Sequence, residues 1–398
     1  MGEWNEYTFR ELLESSVRNG IYKKKEFHGR GCKIVNMGEL FAQPRLKNIE
    51  MNRVDLSEKE KVNFLLKEGD LIFARRSLTA EGAGKCSLVQ EITEHTTFES
   101  SIIRATPDHQ KATSEFLYYY FNSRYGKYLL GTILRQVAVA GITGSDLMGL
   151  VLRVPPLPEQ KAIASVLSSL DDKIDLLHRQ NKTLEAMAET LFRQWFVEEA
   201  LEDWEEKPLD EVADYLNGLA CQKYPPKNDV DKLPVLKIKE LKNGFTDNSD
   251  WATTDLKEDY IVQSGDIIFS WSGSLLVKIW DGRNCVLNQH LFKVTSVKYP
   301  QWFIYFWTKF HIKEFIAIAE SKATTMGHIK REDLSHSMAL VPADSELEHM
   351  NSIVYPLIDK IILNNEQLAK LGMLRDSLLP KLMSGEVRVE NKGDNHVY

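Results

Sequence analysis

Between residues 158 and about 199, apolar positions recur at alternating steps of four and three: Ile163, Leu167, Leu170, Ile174, Leu177, then Asn181, Leu184, Ala188, Leu191 and Trp195. This is the heptad seam of a coiled coil, kept for more than four repeats, and it predicts one long helix. Pro158 suits the first helical turn, where its missing N–H is harmless, and Glu159 suits the positive helix start. A second seam runs through Met350, Val354, Leu357, Ile361, Asn364, Leu368, Leu371, Arg375, Leu378 and Leu382. Ser345 with Glu348 offers it a capping box, and Pro356 inside it predicts a kink or a delayed start. Each apolar stripe is too thin to bury itself, so the two helices are expected to pair.

The segments before the two seams alternate short β-rich runs with Gly, Asn and charged turns. Strands are expected at 33–35, 70–73 and 102–104, and again at 235–238, 266–269 and 291–294. The chain is in fact written twice. Phe116-Leu117-Tyr118-Tyr119-Tyr120 matches Phe303-Ile304-Tyr305-Phe306-Trp307, and Ile142, Asp146-Leu147 and Val154-Pro155 match Ile329, Asp333-Leu334 and Val341-Pro342 at the same offset. Upstream, Gly69-Asp70-Leu71-Ile72-Phe73 matches Gly265-Asp266-Ile267-Ile268-Phe269, Asn19-Gly20 matches Asn217-Gly218, and Trp4 with Glu11 matches Trp204 with Glu211. The aromatic runs are read as core helices rather than base-stacking platforms.

The expected order is a mixed α/β (α+β) lobe at 1–155, a helix at 156–203, a second lobe at 204–342, a helix at 343–388 and a tail at 389–398. Antiparallel pairing of the helices would make a stiff rod, ~60 Å long for ~40 residues, related to itself by a pseudo-twofold axis with a lobe at each end. If Asn181 faces Asn364, a buried amide pair fixes the register. Ile163 then meets Leu382 and Ile174 meets Leu371. The weakest layer sets Leu170 against Arg375.

Composition adds limits. With 398 residues, 43% hydrophobic and 27% charged, the chain is an ordinary globular protein of two or three domains. No apolar run approaches the ~18 residues that span a bilayer, and the polar, acidic start is no secretory signal. Cys32, Cys86, Cys221 and Cys285 form no C-x-x-C pair, which suggests reduced thiols and a cytoplasmic setting. A net charge of −7 argues against indiscriminate nucleic-acid binding. The charge is uneven, however: residues 1–155 hold 22 basic and 19 acidic side chains, and residues 156–203 hold 5 and 10.

Pro155-Pro156-Leu157-Pro158-Glu159-Gln160-Lys161-Ala162-Ile163-Ala164 resembles the central conserved region of type I restriction–modification specificity subunits. Leu378-Leu379-Pro380-Lys381-Leu382-Met383-Ser384-Gly385-Glu386 resembles the end of their distal conserved region, and the Gly-Asp strands resemble an element of their target-recognition domains. The second copy departs from the motif, reading Val341-Pro342-Ala343-Asp344-Ser345-Glu346-Leu347. The resemblance implies a non-catalytic subunit that selects a bipartite double-stranded DNA site. It also implies two modification subunits, which use S-adenosylmethionine to methylate adenine, and two ATP- and Mg-dependent restriction subunits. No cofactor or metal is then expected on this chain. The sequence agrees in that Tyr224-Pro225-Pro226-Lys227 has the wrong flanks for an adenine-methylation motif, and Gly82-Ala83-Gly84-Lys85-Cys86 is no Walker A loop. Two other readings are a nuclease built on Glu240 and Lys242 with Asp229 or Asp231, and a coiled-coil scaffold with no DNA role. In the family reading the acidic helices dock the modification subunits, with Asp171, Asp172 and Asp175 as the exposed contacts.

Base readout needs Arg, Lys, Asn, Gln, Ser or Thr on exposed loops, with cations nearby for phosphate. In the first lobe the candidates are Gln43, Arg45 and Lys47; Arg75, Arg76, Ser77, Thr79 and Lys85; and Arg135, Gln136 and Thr143. In the second they are Ser270, Trp271, Ser272 and Ser274, with Lys322, Thr324, Thr325, His328 and Lys330 before the helix. His290 and His328 have no partner at ligand spacing and are not read as metal ligands.

Overall fold

A computed structural model describes residues 3–77, 79, 82–136, 140–321 and 327–389. Gly-Asp turns start the innermost strand of each lobe, and both are built alike. Gly69 and Gly265 take φ of 86° and 96°, the left-handed region open to glycine. The following aspartate accepts from the backbone N–H three residues back, Asp70 from Lys67 and Asp266 from Gln263, each at 2.8 Å. From these turns run the buried strands Leu71–Ala74 and Ile267–Ser270.

By contacts the chain forms two compact units. One holds Met1–Asp172 with Met373–Tyr398, the other Lys173–Gly372. In the first, a five-stranded sheet has the order Arg18–Asn19, Ile102–Ala105, Leu71–Ala74, Cys86–Val89, Arg45–Leu46. A second sheet sets His28–Val35 between Arg53–Val54 and, in parallel, Thr96–Phe98. In the second unit the first sheet runs Asp214–Asn217, Leu291–Thr295, Ile267–Ser270, Leu276–Ile279. The other places Lys232–Leu236 between Trp251–Thr253 and, in parallel, Cys285–Leu287, with Ile261–Val262 added at the edge. In each unit one more antiparallel pair joins the first strand to the last, Asn5–Thr8 with Val151–Val154 and Glu205–Pro208 with Met338–Val341. The sequence repeat is thus a repeat of strand pairing. The Asn-Gly pairs mark a point of close backbone approach in both lobes. A Cβ at Gly20 would lie 2.1 Å from the Glu99 carbonyl oxygen, and one at Gly218 would lie 2.3 Å from that of Asn288.

The expected helices span Leu157–Arg193 and Asp344–Ser384, and the first ends in a π-helical turn at Gln194–Glu198. By contacts each of them is divided between the two units. The reason is burial. In the first unit Ile163, Leu167, Leu382 and Met383 join the core formed by the aromatic helix Ser114–Asn122. In the second, Ala188, Val354, Ile358 and Ile361 join the core of Gln301–Phe310. The aromatic runs are accordingly core in both lobes. Their polar atoms reach the long helices. Tyr119 donates to Asp171 at 2.8 Å, and Tyr305 donates to Glu185 at 2.7 Å, where Lys309 also binds. Burial raises the Tyr119 and Tyr305 hydroxyl pKa values, so both remain donors.

Within each unit the helices are antiparallel. Glu159 pairs with Arg388, just past the second helix, while Asp171 pairs with Arg375 at 3.2 Å. In the other unit Asn364 donates to Asn181 at 2.8 Å, Asn181 donates to Asn365 at 2.6 Å, and Trp204 donates to Glu346 at 3.1 Å. Several local expectations are corrected. Arg375 turns to Asp171 instead of facing Leu170 uncompensated. Glu346, rather than a Ser345–Glu348 box, caps the second helix by accepting from the Ala343 N–H at 3.2 Å. The helix continues through Pro356, whose ring is on the exposed side. At the other helix start, buried Gln160 donates to the Pro155 and Lys111 carbonyls and accepts from the Thr113 N–H. That is why the Pro-Glu-Gln motif sits there. All four cysteines are buried and unpaired, and no described helix is long and apolar enough to cross a membrane.

Three outcomes follow from this packing. Cysteines placed at Ile174 and Leu371 should cross-link readily under mild oxidation, whereas efficient linkage of 174 to 361 would show a different register. Asp171→Ala should cost about 1–3 kcal/mol in chemical denaturation, since it removes the buried acceptor of the Tyr119 hydroxyl and leaves Arg375 only Asp376. Gly20→Ala and Gly218→Ala should each cost about 1–3 kcal/mol, because backbone has to move to admit the methyl group.

Candidate nucleic-acid interface

After the Gly-Asp strand, each lobe sends a short segment against the stretch that leads into its last helix and strand. In the first lobe Arg76 pairs with Gly141 and Ser77 with Ala140, and Arg135–Gln136 adds a third strand to this small sheet. The Ile142 N–H donates to the Arg75 carbonyl at 3.0 Å. In the second lobe Ser272 bridges His328, the Gly273 N–H donates to Gly327 at 2.9 Å, and the Ile329 N–H donates to Trp271 at 3.1 Å. The two frames superpose bond for bond in the repeat. Two sequence-distant candidate clusters thereby become one surface in each lobe.

What the frames carry differs. In the first lobe Arg76 and Thr79 are exposed, and Ser77 is half-buried, its hydroxyl accepting from the Thr79 N–H. Arg75 is half-buried and donates to the Ser100 carbonyl at 3.2 Å. Arg135 is largely exposed but tethered to Asp146 at 2.7 Å. The Gln136 side chain lies outside the described residues. In the second lobe Trp271 donates to Asn217 at 3.2 Å, and its ring lies 5.9 Å from His290 and 6.2 Å from His328. Ser272 is buried and shares a 3.1 Å hydrogen bond with His290 Nδ1. Ser274, His328 and Lys330 are exposed. Lys322, Thr324 and Thr325 fall outside the described residues.

Other candidates are partly or wholly buried, and several are engaged within the protein. Arg45 is buried and pairs with Asp172 at 2.6 Å, so it ties a strand to the long helix. Lys85 points inward, donating to the Phe41 carbonyl at 2.8 Å over the Phe41 ring, and burial, with Lys127 nearby, lowers its pKa. Thr143 caps the helix Gly144–Met148. Ser270 is fully buried and donates to the Ser274 carbonyl at 2.9 Å, which shapes the turn. Gln43 and Lys47 are half-buried at the ends of the same loop as Arg45. Of the three expected exposed contacts, Asp171 is buried and bound to Tyr119 and Arg375, Asp172 is exposed but pairs with Arg45, and Asp175 is half-buried.

Sequence reading missed Asn217 and His290. The Asn-Gly repeat served there only as an alignment mark, yet it delivers Asn217 to the Trp271 indole. Of the groups named for the nuclease reading, Glu240 is buried and accepts from Ser249, Asp229 is exposed and pairs with Lys232, and Asp231 accepts from Asn228. Among the described residues no group of three His, Cys, Asp or Glu could hold a metal ion.

Known proteins agree with this architecture. A family model described as "Type I restriction modification DNA specificity domain" matches residues 1–186 and 201–373. The chain is 30% identical to the type I restriction enzyme MjaIX specificity subunit of Methanocaldococcus jannaschii over 309 residues, 70% of each chain. It is 23% identical to the putative MjaX specificity subunit of the same organism over 98% of this chain and 94% of that one. Its fold resembles the crystal structure of a type I restriction–modification S subunit from M. genitalium, with a TM-score of 0.61 at 15% identity, covering 95% and 96% of the two chains. With both lobes matched in turn, the chain belongs to the type I restriction–modification specificity subunit family.

Proposed function

We propose that this chain reads an asymmetric, two-part site on double-stranded DNA, one lobe to each half-site, and scaffolds two modification and two restriction subunits around it. The observation that carries the reading is the repeated frame at Arg76–Gly141 and Ser272–His328, with unlike side chains on one backbone pattern. Backbone bonds hold the frame whatever side chains it bears, so each lobe is free to present its own readers. Arginines suit guanine and phosphate, whereas exposed Asn217 and His328 beside the Trp271 indole suit hydrogen bonding to base edges and thymine methyl contact. The chain is non-catalytic. S-adenosylmethionine, ATP and Mg act on the partner subunits, and the acid-rich helices suit protein contact better than phosphate.

Co-expression with the modification subunit, followed by mapping of methylated adenines, tests this reading. Exchanging residues 1–150 for those of a relative should replace one half-site and keep the other; replacement of both would defeat the two-reader assignment. Arg76→Ala should cost ~1–3 kcal/mol at one half-site if it pairs with a base, or weaken all sequences with a shallower salt slope if it grips phosphate. Lys85→Ala should leave the recognised sequence unchanged and lower stability instead.

A further inference from the structure

Beside the first aromatic helix lies a surface cavity of about 610 Å³, lined by Trp4, Tyr120, Tyr128 and Met383 and edged by Arg124 and Arg153. The repeat supplies its counterpart in the second unit, where Trp204, Trp307, Phe196 and Phe310 stand for Trp4, Tyr120, Met383 and Ser123. There the space is filled. The Phe196 ring lies 5.3 Å from Trp204 and 5.5 Å from Trp307, and Phe310 lies 5.4 Å from Trp307. The first unit has no aromatic side chain at positions 123 and 383, and the cavity is what remains.

A carboxylate is missing from the same place. Trp204 donates its indole N–H to Glu346. The matching Glu159 is drawn to Arg388, and the Trp4 indole N–H is buried with no acceptor among the described residues. Arg124 and Arg153 are exposed, and neither forms an ion pair among the described residues. Tyr125 and Tyr128, 51% and 67% exposed, stack beside them at 6.5 Å. Glu6 is the cross-strand neighbour of Arg153 but makes no ion pair with it among the described residues; an unfilled aromatic slot flanked by two exposed arginines outside any ion pair defines its occupant by chemistry.

We propose that this cavity docks an aromatic side chain of a partner protein, on a segment whose adjacent Asp or Glu pairs with Arg124 and Arg153. A protein ligand fits better than a nucleobase, because a protein ring fills the counterpart and the cavity floor is apolar. Aromatic anchors in desolvated pockets with charged rims are the usual centre of such contacts.

The test is selection of a random-peptide phage library on the full chain, followed by fluorescence anisotropy of the enriched peptides with purified protein. The peptides should share an aromatic residue next to Asp or Glu. Met383→Phe, which refills the cavity as Phe196 does, should weaken binding about tenfold or more, and so should Arg124→Glu with Arg153→Glu. The arginine pair is exposed, so its variant keeps the test valid if Met383→Phe fails to fold. Enriched peptides without the pattern, or affinity unchanged in the arginine variant, would overturn the proposal. So would a labelled oligothymidylate binding at this site in place of peptides, or self-association of the chain that the arginine variant abolishes while no peptide competes.

Discussion

The structure depends on the burial of two apolar stripes that neither long helix can cover for itself. Each fully buried Leu, Ile or Val on them contributes roughly 1.5–3 kcal/mol, and each finds its cover in a lobe as well as in the other helix. Ile163 and Leu382 end in one core, Ala188 and Val354 in the other. Burial alone would leave the tyrosine hydroxyls of the aromatic helices stranded. Asp171 and Glu185, projecting from the first long helix, meet that need in turn. Within each unit, the same acid that satisfies the lobe also ties it to its own stretch of the helix.

Duplication has kept what backbone geometry demands and released what it does not. The Gly-Asp turns, the Asn-Gly approach and the paired segments after the inner strands recur because close backbone contact and left-handed φ leave few substitutes. Side chains that project from those segments carry no such duty. Arg76 and Ser272 occupy one structural position with different chemistry, as do Met383 and Phe196.

Much of this was legible from periodicity. Heptads gave both helices and the amide layer, and the ordered repeat gave two lobes with matched strands, because local spacing alone decides those features. Side-chain fates were harder to read. Arg45 looked like a loop cation, but its partner Asp172 is far away in sequence, and Lys85 looked similar until the Phe41 carbonyl claimed it. Small polar residues such as Thr143 and Ser270 serve the backbone, a role that composition does not distinguish from readout. Ile358 and Asn365 escaped the heptad count because the burial of a helix held against two neighbours is wider than a two-position seam.

The first unit is made of residues from both ends of the chain, Met1–Asp172 and Met373–Tyr398, whereas the second is continuous. On a ribosome the earlier lobe therefore emerges without Leu378, Leu382, Met383 or Arg388, and its core around Phe116 stays open on that side. The lobe made first is completed last, after the whole of the second has been synthesised. Nascent first lobes spend that interval with apolar surface uncovered, the state in which folding chains are most prone to aggregate.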